Sequence, residues 1–116
     1  MNDDPHSVDV LYANVESEAL QQIADQMMEY FVANGLMQRK HDRVKLHVTL
    51  MNSLFRDNGV GGESERGSRV TFDATAILRE FGHYNFGTQK VTEIHLSQRF
   101  STACDGFYEA TGLIKL

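Results

Sequence analysis

The run Val44-Lys45-Leu46-His47-Val48-Thr49-Leu50-Met51 constrains the fold more than any other stretch of the chain. Side chains of a strand alternate between two faces, so Val44, Leu46, Val48 and Leu50 share one face, and Lys45, His47, Thr49 and Met51 the other. A strand over residues 43–51 therefore anchors one face in an apolar core. It presents an ammonium, an imidazole and a hydroxyl together on the opposite face.

The remaining elements follow from period and punctuation. Residues 8–15 are rich in strand formers and predict a strand. Ser17 is a good helix N-cap and Glu18 suits the first turn. Leu20, Ile23, Met27, Tyr30 and Phe31 recur at helical spacing, and Asn34-Gly35 is a stop signal, so a helix is predicted over 18–34. Residues 56–69, with Gly59, Gly61, Gly62 and Gly67, read as a flexible loop. Asp73 is placed to cap a short helix over 74–81 with Ile77, Leu78 and Phe81 inward. Asn85-Phe86-Gly87 predicts a turn, 91–99 a strand, Asp105-Gly106 a hairpin turn and 107–116 the return strand. The order β-α-β-loop-α-β-β predicts an α+β domain, a mainly antiparallel sheet with two helices.

Composition excludes several classes. The 116 residues suffice for one domain and not two. No apolar run reaches the roughly 20 residues that span a bilayer, so no membrane association is expected. The acidic, polar start Met1-Asn2-Asp3-Asp4-Pro5 is neither a signal nor a transit peptide. A single cysteine, Cys104, excludes an internal disulfide, and with no base evident nearby it reads as an ordinary thiol. His6, His41 and His83 are not spaced as metal ligands, so no metal or cofactor is expected. Gly59-Val60-Gly61-Gly62 lacks the Lys-Ser/Thr of a phosphate loop. A formal net charge of −5 argues against broad nucleic-acid binding, yet residues 39–45 (Arg-Lys-His-Asp-Arg-Val-Lys) are locally basic.

A histidine and a hydroxyl two residues apart on a strand can act together on a phosphodiester. The imidazole moves a proton and the hydroxyl donates to a phosphate oxygen. His47 and Thr49 are the candidate catalytic pair, and Arg43 and Lys45 are candidates for phosphate binding. Any strand can carry His-x-Thr by chance, so a solvent-facing histidine without a role is the bland alternative. His95-Leu96-Ser97 has the same form, with His95, Ser97 and Arg99 on one face. His95 and Ser97 join the candidate phosphate-binding residues, and a self-contained site using both histidines is an alternative reading.

Lys45-Leu-His-Val-Thr-Leu-Met-Asn52-Ser-Leu-Phe-Arg56 resembles the second His-x-Thr motif of the 2H phosphoesterases. The similar branch is that of the 2′-5′ RNA ligases and the nuclear-localisation-type domain of A-kinase anchoring protein 7. The resemblance extends to Met1–Pro5, Val8-Asp-Val-Leu-Tyr-Ala13, Gly35-Leu36, Phe72-Asp73, Phe86-Gly87 and Ile94-His-Leu-Ser-Gln-Arg-Phe100. It implies a bilobal fold with pseudo-two-fold symmetry, each lobe bringing one His-x-Thr strand to a central cleft. The two histidines exchange acid and base roles, the two hydroxyls hold the phosphate, and no metal is required.

By position, His47 and Thr49 match the second pair, and His95 matches a strand other than the first catalytic motif. The first pair belongs upstream of the segment that Met1–Pro5 matches. The chain is accordingly expected to be a partial domain, residues 1–116 forming the second lobe of a truncated product, an isoform or a fragment. A partial domain exposes apolar surface, so marginal stability or pairing with a second copy is expected. The resemblance further implies an RNA-end or cyclic-phosphate ligand, or else a non-catalytic interaction module. The implied partners are subunits of a helicase-containing transcription-coactivator and alkylation-repair complex. The implied location is nuclear, or nuclear and cytoplasmic.

Overall fold

A computed structural model describes residues 4–53 and 70–116. The glycine-rich loop expected over 56–69 lies outside the described residues. The chain divides into two compact units, Met1–His83 and Tyr84–Leu116. Their described elements are helices and short antiparallel strands, so the α+β expectation holds.

In the first unit, β1 (Val10–Asn14) pairs antiparallel with β2 (His47–Asn52), and α1 (Glu18–Ala33) connects them. Helix α1 starts as its sequence dictates: the Leu20 N–H donates to Ser17 Oγ at 3.2 Å. It ends on Gly35, whose φ of +70° needs a residue without Cβ. There the Gly35 N–H donates to Val32 O at 3.0 Å and the Leu36 N–H to Phe31 O at 2.9 Å. These two bonds are the paired closure of a Schellman stop, which satisfies carbonyls the helix leaves open.

Of the stripe expected on α1, Leu20, Ile23, Met27 and Phe31 are half-buried. Met28 is buried, whereas Tyr30 faces solvent, its ring edge-on to Phe31 at 6.1 Å. Leu20, Ala24, Met28 and Phe31 lie at the spacings that keep one helical face. Val8, Met28 and Ala74 are the buried apolar side chains among the described residues. Val8 is held by a two-bond bridge to Phe72, and the Ala74 N–H donates to Pro5 O at 2.8 Å.

Helix α2 (Thr75–Phe81) begins just beyond Asp73, whose Oδ1 accepts the Thr75 N–H at 2.8 Å. Hydrogen bonds from the Thr75 hydroxyl and N–H hold the Asp73 carboxyl below the usual carboxylate range. Ile77 is half-buried, but Leu78 and Phe81 are exposed, against the inward placement expected of them. The two-turn helix is anchored at its start, where Ala74 is buried, and its last turn projects past that anchor.

The second unit is a hairpin of β3 (Glu93–Ser97) and β4 (Ala110–Lys115). Its turn forms as predicted around Asp105-Gly106: Gly106 has φ +85°, and the Ala103 N–H donates to Phe107 O at 2.7 Å. Ser101 ties the connection together, donating to Gln98 O at 2.7 Å and accepting the Glu109 N–H at 2.9 Å. The Asn85–Gly87 turn closes through a bond from the Gly87 N–H to Asn85 Oδ1 at 2.8 Å.

Candidate functional site

Strand β2 is shorter at its start than the alternation predicts, and the reason sets up the site. Asp25 on α1 accepts the Val44 N–H at 2.8 Å, Gln21 Nε2 at 3.0 Å and Arg43 Nε at 3.3 Å. Gln21 Nε2 also donates to Val44 O at 2.8 Å. Both backbone groups of Val44 are thus taken by helix side chains, and the strand ladder begins only at His47. The Val44 N–H is the first cause that keeps the Asp25 carboxyl below its ordinary range. The clamp fixes the run-in to β2, and with it the register that presents His47.

The same helix draws in the two arginines of the basic stretch. Arg39 pairs with Glu29 and Arg43 with Asp25. The Arg39 bond lowers the Glu29 carboxyl and raises the Arg39 guanidinium from their usual values. Arg43, a candidate phosphate ligand by sequence, is engaged with α1. Lys45 instead lies beside Tyr12 of β1. Its Nζ donates to Tyr12 Oη at 2.5 Å and stands 4.4 Å from the ring centroid. An ammonium has no lone pair, so the phenol oxygen is the acceptor.

His47 opposes Asn14, Val48 opposes Ala13 and Thr49 opposes Tyr12. Directly opposed residues share a face, so Tyr12, Asn14, His47 and Thr49 lie together. Between Tyr12 and Leu11 the register slips, and Met51, not Leu50, opposes Leu11. Leu50 is the extra residue of a β-bulge. The slip corrects the simple alternation: Met51 joins Leu11, Ala13 and Val48 on the apolar face. Asn52, opposite Val10, comes to the His47 face. Among the described residues that face is only partly covered: Leu11 and Ala13 are half-buried, and Val48 and Met51 are exposed.

The imidazole of His47 is oriented by a bond of 2.8 Å between Nδ1 and Lys45 O. A carbonyl only accepts, so Nδ1 carries the proton. Nε2 is therefore the nitrogen left to take up or give a proton, in either charge state. The Tyr12 ring meets the imidazole edge-to-face, centroids 5.5 Å apart at 72°. Among the described residues the Thr49 hydroxyl has no hydrogen-bond partner. His47, Thr49 and Lys45 are all exposed, so the face is open to a ligand.

In the second unit, His95 opposes Leu113, and its Nε2 lies 2.9 Å from Glu93 Oε1. The carboxylate accepts, so the His95 proton is on Nε2. Ser97 is on the same side of β3, at a second bulge where it opposes Ala110. Arg99 stands over the Phe100 ring at 4.6 Å. The two His-x-Thr/Ser strands thus belong to different units, each with its own partners.

Over residues 1–116 the chain matches the family described as the AKAP7 2′5′ RNA ligase-like domain. The chain belongs to that family. It is also similar to mouse activating signal cointegrator 1 complex subunit 1, at 39% identity over 126 aligned positions. The alignment covers 97% of this chain and 35% of that relative, so the chain spans about a third of the relative's length. Family membership supports the 2H phosphoesterase-like character expected from Lys45–Arg56. Two features of the face escaped the sequence reading, Tyr12 and the bulge at Leu50. Strand pairing register reveals both, and no motif in the sequence marks either. Among the described residues no helix is long and apolar enough to cross a membrane, and no group of three His, Cys, Asp or Glu side chains could hold a metal ion.

Proposed function

We propose that the face built by Tyr12, Lys45, His47 and Thr49 binds the phosphate of an RNA end or a cyclic phosphate, with His47 as one of the two proton-transfer groups of a 2H phosphoesterase. One observation carries this reading. The Nδ1–H of His47 is committed to Lys45 O, which leaves Nε2 available on the face that carries the Thr49 hydroxyl.

In hydrolysis of a 2′,3′-cyclic phosphate, water attacks phosphorus and one ribose P–O bond breaks. One group takes the proton from water, and another gives a proton to the departing ribose oxygen. His47 Nε2 serves one of these ends. The second imidazole implied by the 2H family serves the other. Thr49 donates its O–H to a non-bridging oxygen, and Lys45 supplies positive charge beside it.

The test is hydrolysis of adenosine 2′,3′-cyclic phosphate by the chain, with His47→Ala as control. The expected result is activity that falls at least about a hundredfold in the variant. Hydrolysis indifferent to His47→Ala would remove the reading.

A second reading is an interaction module in a coactivator or repair complex, with a nuclear or nuclear and cytoplasmic location. Its support is the exposure of Phe100, Phe107, Leu113 and Ile114 on the second unit, together with a relative named as a complex subunit. Polar substitution at Phe100 and Phe107 then abolishes co-purification with partner subunits and leaves hydrolysis unchanged. The same apolar surface also allows a homodimer, which sedimentation across a concentration series detects.

A further inference from the structure

We infer that Tyr12 is a phosphate-binding residue of this face, its phenolic O–H aimed at the same anion as the Thr49 hydroxyl. The inference rests on the phosphate-site reading above and adds to it a ligand group on the neighbouring strand.

The argument starts from donor and acceptor accounting. Lys45 Nζ donates to Tyr12 Oη at 2.5 Å. The oxygen therefore receives a proton from the ammonium, and its own O–H must turn elsewhere. Among the described residues no acceptor is placed for that O–H. An ammonium bonded to the phenol oxygen draws electron density from it and makes the O–H a stronger donor. The partner such a group suits is an anionic oxygen.

Register then fixes where the donor sits. Tyr12 is directly opposite Thr49, and its ring edge meets His47. Two hydroxyls from adjacent strands, an ammonium bonded to one of them and an imidazole against the same ring thus lie on one face. Every group of the set is a donor when His47 is charged. A tetrahedral dianion such as a phosphate monoester, with several acceptor oxygens, matches this better than a neutral ligand does. Tyr12 is half-buried, and Thr49 and His47 are exposed.

The experiment titrates the full chain with inorganic phosphate, following amide and imidazole resonances, for wild type and Tyr12→Phe, Lys45→Met, Thr49→Ala and His47→Ala. Tyr12→Phe removes one oxygen and keeps the ring against His47. We expect its spectrum to remain that of the folded protein and its phosphate affinity to fall about tenfold, as for loss of one hydrogen bond to a charged group. Lys45→Met weakens binding by a similar factor and flattens its salt dependence.

Phosphate affinity equal to wild type in Tyr12→Phe, with binding lost in Thr49→Ala, overturns the role of Tyr12 and leaves the phosphate-site reading standing. Binding that is indifferent to Thr49→Ala and His47→Ala, or absent from wild type, overturns both. Should Tyr12→Phe fail to fold, wild-type chain labelled with 3-fluorotyrosine reads the same hydroxyl. The fluorine line that responds to Lys45→Met must then move on phosphate addition, and a line that stays fixed overturns the inference.

Discussion

His47-Val48-Thr49 and His95-Leu96-Ser97 share a form and differ in what holds the imidazole. His47 gives its Nδ1 proton to a backbone carbonyl two residues earlier, whereas His95 directs Nε2 at the Glu93 carboxylate. The first arrangement locks the ring and leaves Nε2 for chemistry. The second spends Nε2 on a side chain of the same strand. Neighbouring groups differ too: His47 has the Tyr12 ring edge beside it and Lys45 bonded to that tyrosine, while His95 stands opposite Leu113. A spacing of two residues on a strand places a histidine and a hydroxyl on one face. It does not decide which nitrogen of the histidine is available.

The largest expected effect follows directly. His47→Ala lowers hydrolysis of adenosine 2′,3′-cyclic phosphate by about 10²–10⁴-fold, the worth of one proton-transfer partner, whereas His95→Ala changes it little. Equal losses in the two variants would break the distinction between the strands. Next comes the hydroxyl pair. Thr49→Ala weakens phosphate binding about tenfold through one lost hydrogen bond to a charged group, and Ser97→Ala leaves it unchanged in the same titration.

Smaller effects lie in the supports. Asp25→Ala removes the acceptor of the Val44 N–H, Gln21 Nε2 and Arg43 Nε at once and lowers the melting temperature at neutral pH. Because the folded carboxyl is held below its ordinary value of 3.8, Asp25 contributes stability above that pH. The contribution is lost as pH falls through the lowered folded value. The gap in melting temperature between wild type and Asp25→Ala therefore closes in acid, which thermal unfolding across pH 2–7 measures. Glu93→Gln, the counterpart on the other strand, leaves hydrolysis unaffected.

The two strands also show how far the sequence carries. Period-two alternation, the Ser17 cap, the Gly35 stop and the Asp105-Gly106 turn are local signals, and each element they announce is present. The solvent exposure of Val48, Leu78 and Phe81 was not legible, because apolar character states a preference for burial and not the presence of a covering surface. Nor was the early end of the ladder at His47, since it depends on Asp25 and Gln21, distant in sequence, taking the backbone groups of Val44. The placement of Tyr12 against Thr49 required the register, which a single bulged residue alters. Arg43 and Lys45 look equivalent as neighbouring cations, and only the packing of α1 separates them.

The most direct test of the difference between the strands is a long-range proton–nitrogen correlation spectrum of the histidine rings, recorded at a pH where they are neutral and repeated with inorganic phosphate. The account predicts His47 with its proton on Nδ1 and His95 with its proton on Nε2, and a phosphate-dependent shift at His47 Nε2 alone. A His47 ring protonated on Nε2, or a phosphate response centred on His95, would contradict it.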